Sequence, residues 1–180
     1  MAINFVLQLG GSAGSPEIKG DSLVKGHTTE IDILSWSWGM TQTGSTQIGQ
    51  GGGGTGSADV HDLTLTKYID SSSHLLTQYC HAGNHLEGAV LTCIKVGGKS
   101  GPVEYLKITM GSHDPKNGAV MISSIKTGQL EVVDGKTTDR ILETLTLNFN
   151  NCSVDYIGQD KSGAAGGAMS SGPLHIGAKG

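Results

Sequence analysis

A glycine tract near residue 50 has the residue pattern of a phosphate-binding loop. Gly51, Gly53 and Gly56 fit the spacing G-x-G-x-x-G, which in dinucleotide-binding proteins opens a helix whose N-terminus faces the pyrophosphate. The next residues, SADVHDLTLTKY, alternate between polar and apolar types. This alternation predicts a strand instead of a helix. The tract therefore predicts neither a nucleotide site nor any other cofactor site.

A second cluster contains residue types that bind metals. The segment CHAGNH places Cys80, His81 and His85 close together. Cys80 falls on an apolar helical stripe, and Gly83 is expected to end the helix before His85. No fourth ligand is spaced to complete a tetrahedral site. We therefore interpret Cys80 as a core residue and predict no metal site.

Two further segments contain fragments of catalytic motifs. GKS at residues 98–100 lacks the leading glycine of a Walker motif, because Cys93 occupies that position. Ser112, His113 and Asp114 follow one another directly. Such neighbours in sequence seldom form a catalytic triad, and the adjacent proline and Asn-Gly pair predict a turn. The sequence therefore predicts a protein that is not an enzyme.

Composition and charge exclude other classes of function. The chain has 180 residues, a formal net charge of -4 and 12 basic residues. It has no Lys/Arg cluster of the kind that binds nucleic acid or an acidic membrane. The start, MAINFVLQLGG, lacks basic residues and predicts a strand instead of a signal peptide, and no segment has the length and apolarity of a membrane span. Three widely separated cysteines fit folding in a reducing cytosol.

Alternation between apolar and polar residues dominates the chain and predicts a mainly β protein. Residues 3–9 form a first predicted strand. AVLTCIKV and VEYLKITM flank the short connection GGKSG and predict a hairpin, and AVMISSIKTG predicts another strand. In ILETLTLNFNNCSVDY the apolar positions change phase at Asn150–Asn151. This change predicts a β-bulge.

One segment, DSSSHLLTQYCHAG, has helical periodicity. It predicts a helix capped by Asp70 or Ser71 and ending at Gly83. Seven or eight strands with one short helix predict a small β-barrel or sandwich, which we assign to residues 1–157 as a single domain. Residues 158–180 are rich in Gly, Ala and Ser and predict a flexible tail.

Both tryptophans lie in the segment ILSWSWGM, which we interpret as one continuous strand. Alternation then places Leu34, Met40 and the tryptophans Trp36 and Trp38 on one face. The opposite face would carry Ile31, Ile33, Ser35 and Ser37. We interpret the tryptophans as core residues, with a sugar-stacking platform as the alternative. A strand that must bury both faces also suggests a partner, such as another copy of the chain.

The combination of SWSWG, a glycine run and TKYID is specific. The chain resembles the haemolysin-coregulated protein (Hcp) family, the tube-forming subunit of bacterial type VI secretion systems. The resemblance covers most of residues 17–157. The matching stretches, in the family's order, are EIKGDS, TEIDILSWSWGMTQTGS, GGGGTG, DLTLTKYID, LTCIKVGG, VEYLKITM, MISSI, ETLTLNF and VDY.

The resemblance implies a compact single-domain β-barrel of two sheets, with one short helix packed alongside, similar to phage tail-tube proteins. It also implies homo-hexameric rings that stack into a hollow tube inside a contractile sheath, capped by a spike protein. Small effectors would bind in the lumen. The subunit would reside in the bacterial cytoplasm and be secreted without a cleaved signal peptide.

The resemblance also assigns roles to segments of this chain. Alternation against the tryptophans makes Ser35 and Ser37 the candidates for effector contact in the lumen. Residues 42–57 correspond to an extended loop that reaches the adjoining ring, where glycines give backbone freedom. The residues of this inter-ring loop that we single out are Gln42, Gly49, Gly51, Gly52, Gly53, Gly54 and Gly56.

Two other functions remain open at this point. One is a stand-alone secreted effector, such as an adhesin or a lectin that uses the tryptophan pair. The other is the tube subunit of a phage or a phage-like particle, whose physical requirements are the same.

Overall fold

A computed structural model describes residues 3–11, 17–42, 58–95, 101–111, 120–159 and 165–176. The glycines of residues 49–56, the GKS segment and the Ser-His-Asp run lie outside these ranges. The described strands are β1 (Ile3–Leu9), β2 (Ile31–Ile33), β3 (Ser35–Ser37), β4 (Met40–Gln42), β5 (Ala58–Val60), β6 (Leu63–Tyr68), β7 (His85–Leu86), β8 (Ala89–Lys95), β9 (Val103–Met110), β10 (Val120–Val133), β11 (Lys136–Phe149), β12 (Asn151–Gln159), β13 (Ala165–Ser170) and β14 (Leu174–His175). The helix is α1 (Ser73–Ala82).

The strands form two main sheets around one hydrophobic core, which confirms the mainly β architecture with one short helix. The first sheet has the order β13-β12-β9-β8-β1-β2, with β14 also paired to β12. The second has the order β3-β6-β11-β10-β7, and β4 and β5 form a separate two-stranded ribbon. The N-terminal strand and the β8–β9 hairpin occur where the sequence predicts them. Alternating leucines of both sheets fill the core, among them Leu7, Leu65, Leu91 and Leu145.

The chain changes sheets at Leu34. Strand β2 pairs with β1 in the first sheet, whereas β3 pairs with β6 in the second. Odd-numbered residues face the core before this break, and even-numbered residues face it afterwards. Ile31 and Ile33 are therefore buried, and Trp36 packs against the same core. The prediction of one continuous strand with the isoleucines opposite the tryptophans is therefore wrong. The core of the chain itself covers Ile31 and Ile33, so neither isoleucine needs a partner to bury it.

A second change of sheets occurs at Asn150. Phe149 ends β11 in the second sheet, and Asn151 begins β12 in the first. Both Phe149 and Cys152 are buried, which explains the phase change in the sequence. The predicted β-bulge is therefore wrong, because the extra residue marks a corner between two sheets and not an irregularity within one strand.

The helix α1 follows the prediction closely. It begins after Ser72, one or two residues beyond the predicted caps Ser71 and Asp70. The Asp70 carboxylate accepts a hydrogen bond from the backbone N–H of Ser72 at 2.9 Å. It ends at Gly83, whose φ of 64° lies in the left-handed region that glycine accepts without strain. Leu76 is its buried residue, and the helix packs alongside β10.

A buried ion cluster joins the start of α1 to β6 and β11. The fully buried Lys67 ammonium lies 3.0 Å from a Glu143 carboxylate oxygen and 2.8 Å from an Asp70 oxygen. It also donates to the Ser73 hydroxyl at 3.0 Å. Thr127 on β10 donates to the other Glu143 oxygen at 2.8 Å. Every polar atom of the Glu143 carboxylate therefore has a partner, as a buried charge requires.

The C-terminal segment contains regular structure. Strands β13 and β14 both run antiparallel to β12 and cover its outer edge. Leu174 and Ile176 pack against the core, and Gly166 approaches the Gly158 carbonyl so closely that a Cβ would lie 3.0 Å from its oxygen. Within the segment predicted to be a flexible tail, residues 165–170 and 174–175 therefore form strands. The alternating pattern is weak there because small residues supply a backbone ladder and little apolar surface.

Candidate functional site

The predicted effector-contact residues lie at an edge of the second sheet. Ser35 and Ser37 are both exposed on β3, which pairs on one side with β6. The intervening Trp36 points to the core. The backbone of this short edge strand therefore presents two small hydroxyl side chains to solvent, on the face opposite the core.

Strand register extends this pair into a larger hydroxyl face. Ser35 lies opposite Thr66, which lies opposite Thr144. Directly paired residues share a face of the sheet, so these side chains form a row across three strands. The row continues to Lys126 on β10. A polar row thus crosses four strands.

A parallel row begins at Ser37. It runs through Thr64 and Thr146 to Ser124. We call the eight residues of the two rows the hydroxyl face, since seven of them are Ser or Thr. The prediction named only Ser35 and Ser37. The four threonines alternate with leucines in DLTLT and ETLTL, and this pattern is the signal that would have identified them.

A carboxylate marks one end of the hydroxyl face. Asp62 accepts a hydrogen bond from the Asn148 amide at 2.7 Å and another from the Ser123 hydroxyl. Ser123 also lies within hydrogen-bond distance of the Thr146 hydroxyl, at 2.7 Å. Lys126 brings a positive charge to the β10 end of the first row, and Asp62, which precedes β6, brings a negative charge beside the second row. The face between them offers neutral donors and acceptors.

The two tryptophans pack against the core on the other side of β3. Trp36 meets Phe5 edge to face, with ring centroids 6.4 Å apart. Trp38 lies 6.1 Å from Phe149, and its indole N–H donates to the His61 carbonyl at 3.0 Å. Rings held in this way do not form the open, parallel platform that stacks on sugars. The packing therefore disfavours the lectin alternative.

The ribbon of β4 and β5 carries the two ends of the predicted inter-ring loop. Met40 pairs with Val60, and Gln42 pairs with Ala58. Gln42 is exposed, whereas the loop glycines lie outside the described residues. The role of this loop therefore stays a prediction, supported by the closely spaced ends from which it leaves the barrel.

Large apolar side chains are exposed beside the Leu34 corner. A groove of about 430 Å³ is lined by Ile3, Leu34, Tyr68 and Arg140, among others, and Tyr68 and Arg140 also line a neighbouring depression with Ile141. The Arg140 guanidinium lies 4.8 Å from the centre of the Tyr68 ring. Clustered exposed apolar residues with a polar rim are typical of a protein interface.

The described part of the chain contains neither a cluster of metal ligands nor a membrane-spanning helix. Within those ranges, no group of three or more His, Cys, Asp or Glu side chains is placed to hold a metal ion. The described helix α1 is too short and too polar to cross a bilayer.

Comparison with known proteins identifies relatives over nearly the whole chain. The family model for the type VI secretion system effector Hcp matches residues 6–156. Protein Hcp1 of Pseudomonas aeruginosa is 41% identical over 177 residues, which cover 98% of this chain and 94% of that protein. The fold is similar to a solved type six secretion system protein, with a TM-score of 0.75 and 23% identity over 96% of this chain and 93% of that one. Hcp1 from Salmonella typhimurium is also similar, with a TM-score of 0.64 and 27% identity over 94% and 92% of the chains.

The family match, the curated relative and the shared fold agree with the motifs SWSWG and TKYID from which the resemblance was inferred. The chain belongs to the Hcp family of the type VI secretion system.

Proposed function

We propose that this protein is the structural subunit of the type VI secretion tube, which forms hexameric rings, stacks them into a hollow tube and carries small effectors inside. Family membership supports the tube assignment. The proposed effector role rests on the hydroxyl face. A conduit wall needs a continuous solvated surface without large apolar or strongly charged patches, and the two rows of the hydroxyl face have that composition.

The edges of the second sheet fit a ring. Within the described residues, β3 pairs only with β6, and β7 covers β10 only at Val120 and Met121. Unpaired strand edges offer backbone donors and acceptors to another chain. A ring of identical subunits needs two different, complementary surfaces on each copy. Rotation of the subunit about a ring axis would place the β3 edge of one copy near the β10 edge of the next, so that the hydroxyl faces form the wall of a channel.

Stacking of the rings is assigned to the loop between β4 and β5. In this proposal the glycines of residues 49–56 let the loop adopt an extended form against the adjoining ring. Ordering such a loop costs conformational entropy, which offsets part of the contact energy and keeps the stacking reversible.

The effector role is tested by adding a bulky side chain to the hydroxyl face. We expect Ser37→Trp to abolish retention of a tagged small effector from the same cell, because the indole would fill the surface that contacts it. The rings should keep their size in light scattering. Thr28→Trp, at an exposed loop residue away from this face, is the matched control. Unchanged retention in Ser37→Trp would remove Ser37 from the effector surface, and a monomer in the unmodified protein would refute the ring itself.

A further inference from the structure

The strand orders give the barrel two different flanks. On one flank β2 ends the first sheet and β3 ends the second, and the Leu34 corner joins them. On the other flank lie β12 with its cover β13, and β10 with β7. A ring in which every subunit is rotated by the same angle brings one flank of each copy against the other flank of its neighbour.

The first flank carries the groove described above, in which Asn4, Asp32 and Arg140 lie beside large apolar side chains. Ile3 and Leu34 are 44% and 39% exposed, and the groove continues past the Tyr68 and Arg140 pair to Ile141, which is 40% exposed. We call this groove the socket. Side chains of this size, left half exposed around a cavity, remain available for another surface to cover.

The second flank carries an apolar row that leaves the core. Register places Cys93 opposite Leu106, Leu106 opposite Tyr156, and Tyr156 opposite Met169. Exposure rises along this row from 0% at Cys93 to 45% at Tyr156 and 69% at Met169. The first sheet therefore extends beyond the second, and its inner face is uncovered at β12 and β13. We call Tyr156 and Met169 the plug.

We propose that the plug of one subunit packs into the socket of the next subunit around the ring. This inference rests on the proposed ring and assigns its lateral contact. Both surfaces carry large exposed apolar side chains, and they lie on opposite flanks of the chain. Methionine is flexible enough to fill an irregular groove, and tyrosine brings a large apolar area with a polar end for the rim. The contact gives the ordered C-terminal strand β13 a role in ring closure.

Paired cysteines test the contact directly. In a Cys80→Ser background we combine Leu34→Cys in the socket with Met169→Cys in the plug. Each disulfide then joins two neighbouring subunits, so mild oxidation of assembled rings should give a ladder of up to six covalently linked subunits on a non-reducing gel. Ile141→Cys with Tyr156→Cys is the second pair, in case the first variant does not assemble.

The control pairs Met169→Cys with Gln78→Cys. Gln78 is exposed on α1, which packs alongside β10 and so lies on the same flank as the plug. This pair should give no ladder, although it has the same number of thiols. Rings of normal size without a ladder from either socket–plug pair would overturn the contact while leaving the proposed function intact. Absence of rings in the unmodified protein would instead refute the proposed function.

Discussion

Replacing Lys67 by methionine should destabilise the fold more than any exposed charge substitution. Lys67 is fully buried between Glu143, which is 1% exposed, and Asp70. Methionine has a similar length and fills the same space, so the cavity cost is small. The change removes the cation and leaves the Glu143 carboxylate buried with no opposite charge.

The magnitude follows from that uncompensated charge. Removing one partner of a buried ion pair costs about 3–5 kcal/mol. In a protein of this size each kcal/mol shifts the melting temperature by about 2–4 °C, so we expect a fall of about 6–20 °C. Lys107→Met is the matched control, because Lys107 pairs with Glu104 at 2.8 Å with both side chains about 40% exposed. An exposed pair of this kind contributes about 0–1 kcal/mol.

Differential scanning calorimetry at equal protein concentration compares the two variants, since association also raises the melting temperature. Adding Glu143→Leu to Lys67→Met should recover part of the loss, because the buried carboxylate is then absent. A loss in Lys67→Met that does not exceed the loss in Lys107→Met would contradict this account of the cluster.

Two further predictions concern the thiol in the core and the inter-ring loop. Burial raises the pKa of Cys93 from 9.0 to about 11, so the unfolded chain releases this proton at a lower pH than the folded chain. The contribution of the protonated Cys93 thiol to the free energy of unfolding is complete below about pH 9 and is lost as the pH rises towards about 11. Cys93→Ala should reduce this loss of stability, which urea unfolding at several pH values measures. Deleting residues 49–56 should leave ring size unchanged in light scattering and shorten or abolish tubes in negative-stain micrographs. Tubes of normal length in the deletion variant would remove the loop from stacking.

Local sequence patterns were sufficient to predict several of the strands and the helix. Alternation identified the N-terminal strand and both strands of the β8–β9 hairpin, and the helix ended at Gly83 as predicted. These predictions succeeded because hydrophobic periodicity and a left-handed glycine act over a few residues. The change of sheets at Asn150 was interpreted as a bulge, because a change of phase looks the same whether the strand bulges or joins another sheet. The change of sheets at Leu34 was missed, because residues 31–40 were interpreted as one continuous strand.

The hydroxyl face was only partly predictable. Alternation with the tryptophans predicted that Ser35 and Ser37 share a face of their strand. It gave no indication that Thr66 and Thr144 lie beside Ser35 on the same face of the sheet. The two rows exist because four strands pair in a particular register. Register depends on packing of the leucines on the opposite face, and a single strand does not contain that information.

The sequence by itself determined the β-rich class, the position of the helix and the family, because these depend on short-range periodicity and on motifs that stand in one stretch of chain. Only the tertiary structure decided that Lys67 is buried between two acids, that β13 covers β12, and that apolar residues from distant segments form a socket and a plug. Each of those features joins residues separated by many positions. Their free energies depend on burial and register, which arise only when the two sheets close around a common core.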